Sequence, residues 1–424
     1  MKKTIKPVML LSLLAILFFS YINSEPNQVE SNDKLQLCLD DVTPDFTLSS
    51  TEKIQLEKEI QDYFDNAIAN DLMVGASVSI VKCDSIVHSG GYGLKDIKTK
   101  ESINEESIFR IGSLSKGFAS VLAGIEVEQG LLHWDDKVTH YIPEFQLKNK
   151  DVALQMTLSN LLSHTTGLPY HCFTNLIEDR MPLTKIAESF KDIQPIGKLG
   201  EIYSYQNAVY ALGGVMIQKV TGKSLEEELK DKIFEPLDMK TASASYNEIL
   251  AADNFAKPHQ WKRWGWKSKP IHQKYYSDAI AAGGINASAI DMAKWMRFLL
   301  GNNPEVMMPS TMETIFEPKV EVTGRTKYYQ KWPGYVSSSY GYGWRIHHLK
   351  NENTNNLNKV VHHGGSVNDY RSEIALFSDD ELGICVLFNS PTKIARTVIP
   401  DLYKIVQKAI NASHESNIAV ETNS

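Results

Sequence analysis

Cysteine is scarce, with four in 424 residues at Cys38, Cys83, Cys172 and Cys385. Their separations match neither a C-x-x-C pair nor a zinc spacing, which argues against a disulfide-stapled scaffold or a zinc module; as buried free thiols or as a bridge, they carry no function. Glycine and proline, 25 and 16 residues, are too few for a collagen-like or low-complexity chain. Positive charge is in deficit: 44 Lys plus Arg stand against 51 Asp plus Glu, interspersed, for a net charge of −7, which argues against a nucleic-acid partner. No apolar run reaches the ~20 residues of a membrane-spanning helix. His347, His348, His362 and His363 lack an H-E-x-x-H pattern or carboxylates at metal-ligand spacing, so neither a metal nor another cofactor is expected.

The composition is that of an ordinary globular chain, 42% hydrophobic, long enough for two or three folding units and a large core. Lys2, Lys3 and Lys6 precede an apolar run of 15 residues, Val8 to Ile22, the pattern of an export signal. Cleavage after Ser24 would leave a chain of net charge −10, periplasmic or secreted. Ile22 fits the small-residue rule at the cleavage site poorly, and an uncleaved signal would instead leave an N-terminal membrane anchor. No other stable membrane insertion is expected.

Residues 25–50 are polar. Ile60, Phe64, Ala67 and Ile68 then form a helical stripe, followed by strand candidates Gly75–Lys82 and Ser85–Gly93. Near the other end Tyr342–His347, Lys359–His363, Arg371–Phe377 and Gly383–Phe388 read as strands, with a turn at Asp379-Asp380. A closing helix carries Ile394, Val398, Leu402, Ile405 and Val406, and residues 413–424 form a polar tail. The middle of the chain is helical in period. The expected fold is α/β of the α+β type: an antiparallel sheet flanked by helices, built from both chain ends (51–113 and 338–412), with a mostly helical domain (114–337) inserted and a site in the cleft between them.

Chemistry concentrates in three stretches. Leu114, Phe118, Val121, Leu122 and Ile125 set a helix beginning near Ser113 and ending at Gly130, which puts Ser113 and Lys116 on one face of its first turn. A serine hydroxyl needs a base, and a desolvated lysine amine can be one. Tyr205 and Asn207 form a Y-x-N pattern just before an apolar helix. His363, Gly364, Gly365 and Ser366 end a strand, where paired glycines let a backbone approach a ligand. A competing reading makes Ser115 the nucleophile of a G-x-S-x-G elbow, but position −2 is Ser113 rather than glycine. Lys257 to Lys274 holds six basic residues, no acid and Trp261, Trp264 and Trp266. It reads as a solvated loop over the cleft or as a contact for an anionic surface or a substrate. His164 reads as a structural hydrogen-bonder beside a turn.

Taken together, S-x-x-K at Ser113, Y-x-N at Tyr205 and H-x-G at His363 resemble the serine β-lactamase and penicillin-binding protein superfamily, in the class C β-lactamase-like branch with its D,D-carboxypeptidases, D-aminopeptidases and esterases. The resemblance covers about residues 55 to 410 and includes Asn160-Leu161-Leu162-Ser163-His164-Thr165-Thr166-Gly167-Leu168-Pro169, Gly130-Leu131-Leu132-His133-Trp134-Asp135-Asp136, Ala282-Gly283-Gly284-Ile285 and Tyr340-Gly341-Tyr342-Gly343-Trp344. It implies a helix–sheet–helix domain interrupted by a helical one. It also implies Ser113 as acylated nucleophile, Lys116 as base and Tyr205 as proton relay. Asn207, His363, Gly365 and Ser366 would contact substrate, with the N–H groups of Ser113 and Ser366 as oxyanion hole. True class C lactamases carry Lys where His363 stands, and Gln206, Asn368 and Asp369 are further departures. The implied function is an exported serine hydrolase on small amides or esters, with cell-wall D-peptides leading. A true β-lactamase and a non-catalytic penicillin-recognising protein are the alternatives. The oligomeric state is left open.

Overall fold

Leu382, Ile384, Val386 and Phe388 alternate with Gly383, Cys385 and Leu387, and all seven are buried. A strand apolar on both faces must lie at the centre of a covered sheet. In the computed structural model, which describes residues 46–324, 327–351 and 356–421 (side chains to 411), this strand, β13 (Leu382–Phe388), is central. Around it run β1 (Gly75–Lys82), β2 (Ser85–Asp96) and β3 (Glu101–Ser102) on one side. On the other lie β12 (Tyr370–Phe377), β11 (Leu357–Val367), β10 (Arg345–Lys350), β9 (Tyr335–Tyr340) and β8 (Val320–Glu321). The order is β3-β2-β1-β13-β12-β11-β10-β9-β8, with every pair antiparallel. The export-signal segment and Cys38 lie outside the described residues.

The two faces of the sheet bury different partners. Ile384, Val386 and Ala375 meet Leu56, Ile60 and Phe64 of helix α1 (Ser50–Ala69) and Val398, Leu402 and Val406 of the closing helix (Val398–Glu421). Ser49 and Glu52 form a capping box that starts α1. Cys385, Leu387, Ile374, Val361 and Ile346 belong instead to the core shared with the helical part of the chain. There helix α2 (Ser115–Glu128) is buried on nearly every side and helix α3 (Asn207–Thr221) packs beside it, ended by Gly222 in the left-handed region. A helix apolar all round belongs in a core, so a lysine in its first turn, Lys116, is held there against its own solvation.

In this core α2 approaches the Tyr340–Trp344 turn closely. A Cβ on Gly117 would lie 2.3 Å from Trp344 Cζ2. Gly343, at φ +78°, lets its backbone sit against the Lys116 carbonyl, and its N–H donates to Leu162 O at 3.0 Å. Residues 342–344, expected as strand, are this turn, and β10 begins only at Arg345. Small ladders complete the fold: β4 (Phe109–Arg110) pairs with β7 (Asn286–Ala287), and β5 (His259–Lys262) with β6 (Gly265–Ser268). The Lys257–Lys274 stretch, expected as a loop, is thus built on a hairpin.

Gly117→Ala tests the packing with an unambiguous sign. In an exposed helix the change would stabilise by about 1 kcal/mol. Against a buried indole it should destabilise by about 1–3 kcal/mol, seen as a lower urea midpoint at unchanged m-value.

Candidate active site

Chain geometry brings the three motif stretches to one point. Ser113 sits in a 3-10 turn (Gly112–Leu114) that runs directly into α2, so Lys116 projects one turn later on the same face. Lys116 Nζ lies 3.5 Å from Ser113 Oγ, 2.8 Å from Asn207 Oδ1 and 2.7 Å from the Ala282 carbonyl oxygen. The Tyr205 phenol lies near enough to Ser113 for the serine to pull its pKa down, and its ring centre is 4.8 Å from Lys116 Nζ. Asn207 opens α3, and its amide nitrogen donates to the Tyr275 hydroxyl at 3.2 Å.

Electrostatics follow from burial. Lys116 is wholly buried with no carboxylate beside it, and desolvation, aided by the Arg345 cation, drives its pKa well below 10.5. Burial pushes the Tyr205 phenol up to about 12, against the pull of Arg345 and Ser113. Burial therefore favours the amine over the ammonium at Lys116 and the phenol over the phenolate at Tyr205. A neutral amine has two N–H bonds and one lone pair. Asn207 Oδ1 and Ala282 O accept the two hydrogens, which leaves the lone pair to the Ser113 hydroxyl.

Gly112, at φ +54°, faces the end of β11: a Cβ there would lie 2.9 Å from the Ser366 nitrogen. Gly365 is equally confined, its absent Cβ falling 2.1 Å from Ser372 Oγ and 2.3 Å from Ile111 O. Ser372 Oγ donates to Ile111 O at 2.7 Å and ties the strands to the nucleophile turn. The backbones of Ser113 and Ser366 are thus held side by side. His363 is buried with its ring 6.3 Å from that of Tyr205. Its Nδ1–H donates to Gly364 O at 2.9 Å and its Nε2 accepts from the Tyr340 hydroxyl at 3.0 Å, so both nitrogens are engaged within the protein. Burial and Arg345 hold His363 well below 6.5 and therefore uncharged. His362 points to the opposite face, in a chain from His347 Nε2 (3.0 Å) to Glu373 Oε2 (2.9 Å).

His164, at φ +58°, orients Tyr205: its Nδ1 accepts from Gln206 N–H at 3.2 Å, its carbonyl accepts from Ser204 N–H, and its ring packs 4.3 Å from the Tyr205 ring. Ser115, the competing nucleophile, is buried, and its Oγ accepts from Ile285 N–H at 3.1 Å. That oxygen is a structural acceptor, not an open nucleophile. No cluster of three or more metal-ligating side chains occurs among the described residues.

Arg345 is the functional residue that sequence reading missed. Its guanidinium lies 5.9 Å from the Tyr205 ring centre, 5.5 Å from that of Tyr329 and 5.8 Å from that of Tyr340, with no carboxylate among the described residues within ion-pair distance and Nε without a partner. Among the described residues, it and Lys116 both stand over the Tyr205 ring. Its neighbours in sequence, Gly343-Trp344 and Ile346-His347-His348, give no sign of it, and Tyr205 and Tyr329 arrive from other segments to join Tyr340.

A family model described as "Beta-lactamase" matches residues 60–405, most of the chain. The chain belongs to the beta-lactamase family. Curated relatives include Protein flp of Staphylococcus aureus (strain MW2), 25% identical over 344 residues that cover 79% of this chain and 64% of the relative. The Unguisins hydrolase ungD' of Aspergillus campestris (strain IBT 28561) is 24% identical over 327 residues, 75% of this chain and 58% of the relative. The chain thus spans less than two thirds of the length of these curated relatives. Among solved structures, the octameric penicillin-binding protein homologue from Pyrococcus abyssi aligns with a TM-score of 0.69 at 26% identity, over 82% of this chain and 77% of that one. EstCE1, a hydrolase with promiscuous acyltransferase activity, aligns with a TM-score of 0.66 at 18% identity, over 80% and 95%, and shares the fold. The mixed architecture with a large antiparallel sheet between helices is the one the sequence led us to expect.

Acylation by an activated ester should follow the amine form of Lys116, rising with pH along one limb and flattening well below lysine's ordinary 10.5. Removing the Arg345 charge by Arg345→Gln makes Lys116 easier to protonate, so the limb of kcat/KM should move to higher pH. An unmoved limb would mean that burial alone sets the base.

Proposed function

We propose that the protein is an exported serine hydrolase that works through an acyl-enzyme on small amide or ester substrates, with cell-wall-type D-amino-acid peptides as the leading class. The observation that carries this reading is the placement of Lys116 Nζ, 2.8 Å from Asn207 Oδ1, 2.7 Å from Ala282 O and 3.5 Å from Ser113 Oγ, so that in its amine form the first two accept its hydrogens and its lone pair is left to Ser113. Family membership and hydrolases among the relatives support it. Export rests on the N-terminal lysines and the apolar run after them.

Substrate carbonyl carbon is attacked by Ser113 Oγ as its proton passes to Lys116 Nζ. The carbonyl oxygen, now an oxyanion, is received by the N–H groups of Ser113 and Ser366. Tyr205 then gives its phenolic proton to the departing nitrogen or oxygen and recovers one from protonated Lys116. Water repeats the sequence on the acyl-enzyme, releasing the acid. Asn207 holds Lys116 and contacts the substrate amide. Because both His363 nitrogens are engaged, Arg345 is the group that can supply positive charge to an anionic substrate, in place of the lysine that class C lactamases carry at position 363.

Intact-protein mass spectrometry after mixing with a penicillin, a D-Ala-D-Ala peptide and an activated ester tests this reading. Turnover of the peptide or ester through an adduct mapped to Ser113 is the expected result. Labelling at Ser115, or inertness to all three, would overturn it.

Tyr205→Phe should lower amide cleavage by about 10²-fold or more, because a departing amine must be protonated, and lower cleavage of an activated ester distinctly less. Equal losses on both substrates in steady-state assays would remove Tyr205 as the leaving-group acid.

A further inference from the structure

The hairpin β5–β6 takes no part in the chemistry at Ser113, yet its composition departs sharply from that of the chain. A protein of net charge −7 concentrates six basic residues, no acid and three tryptophans between Lys257 and Lys274. The two strands pair from His259↔Ser268 to Lys262↔Gly265, and the turn is Arg263-Trp264 with Gly265 at φ +112°. At the root His259 is fully buried and its N–H donates to Asn389 O at 2.8 Å. At the tip Trp264 is 80% exposed and Trp261 50% exposed. The other five tryptophans are buried or half-buried, so the solvent-facing indoles of the protein are gathered on one turn.

Charge is arranged in the same way. Lys257 and Lys274, at the ends of the stretch, are paired with Asp96 and Glu178, each at 2.8 Å. Lys262, Arg263, Lys267 and Lys269, nearer the tip, make no ion pair with a described residue; Arg263 instead stacks over Trp264 at 4.7 Å. Indoles interleaved with lysines and arginines, of which Lys262 and Lys269 feel the Asp369 carboxylate only at a distance beyond an ion pair, suit the boundary of an anionic bilayer, where the ring enters the headgroup layer and the cations meet phosphate. A single protruding turn offers no groove along which a nucleic-acid backbone could run. No helix among the described residues is long and apolar enough to cross a membrane, so such a contact is peripheral.

We propose that the β5–β6 hairpin is a surface anchor for anionic lipid bilayers, with Trp261 and Trp264 entering the headgroup layer and Lys262, Arg263, Lys267 and Lys269 engaging lipid phosphates. The chain leaving the hairpin leads straight to the active site. Arg110 holds the carbonyls of His272 and Lys274 at 2.9 and 2.6 Å, and the Tyr275 hydroxyl accepts from Asn207. An anchored hairpin therefore sets the cleft beside the bilayer. The anchor does not depend on what Ser113 does, and its test reads binding.

Residues 1–45 contain no tryptophan, so quenching of tryptophan emission by lipids brominated along the acyl chain reports the hairpin even in the full-length chain. With vesicles of equal parts phosphatidylcholine and phosphatidylglycerol, emission should shift to the blue and be quenched, and salt of about 0.5 M should weaken the effect. Phosphatidylcholine alone should give little. Trp261→Ser/Trp264→Ser should abolish the quenching, and the exposed pair Lys262→Gln/Lys267→Gln, which leaves the indoles in place, should weaken the apparent affinity about tenfold or more. Absent quenching with anionic vesicles, quenching that survives in the double tryptophan variant, unchanged affinity in the double lysine variant, or capture by an oligonucleotide in preference to vesicles would each overturn the proposal.

Discussion

Keeping one amine out of water is the constraint around which the structure is arranged. Lys116 is buried in the first turn of a helix that is otherwise core, and a charge there would be uncompensated. Each motif stretch contributes to that isolation. Ala282 and Asn207 supply the acceptors, Gly117 admits Trp344, Tyr210 donates to the Lys116 carbonyl at 2.7 Å, and Gly343 closes against the same carbonyl. The Asn160–Pro169 run also serves the site through His164 and Leu168, which hold Gln206 and Ser204 and so fix the approach of Tyr205.

Linkage gives that isolation a signature in stability. The folded-state pKa of Lys116 lies below its unfolded value, so the unfolded chain binds the proton more readily between the two. This group therefore weakens the fold most below its folded pKa, and its contribution improves as pH rises toward the unfolded value. Glu373, pushed up to about 7 by burial against the pull of Arg371, has the opposite slope: beside His362 the folded chain binds its proton more readily than the unfolded one, so its contribution is full at low pH and is lost as pH rises through about 7.

Much of this was legible in sequence because it is local. Strand composition marked Gly75–Lys82, which is β1, and the three-residue spacing of Ser113 and Lys116 survives in the structure as a 3.5 Å contact. What escaped is what depends on distant segments. Tyr342 to Trp344 look like strand residues, but Gly343 at φ +78° and the packing of Trp344 beneath Gly117 make them a turn. Ser337 to Ser339 carry little strand signal, and β9 exists because β10 pairs with it. Arg345 acquires meaning only when Tyr205, Tyr329 and Tyr340 surround it. The hairpin at Trp261 was hidden by its charge, which reads as loop.

The contact between Ser372 and Ile111 joins residues 261 positions apart, and it lies directly beneath the nucleophile turn. Until β12 arrives, nothing holds Ser366 against Gly112, and a Lys116 still in water keeps the ordinary lysine pKa of about 10.4 and stays protonated. A chain still leaving the ribosome therefore carries Ser113 and Lys116 side by side without reactivity. Completion of the sheet is what brings Ser366 against the Ser113 turn.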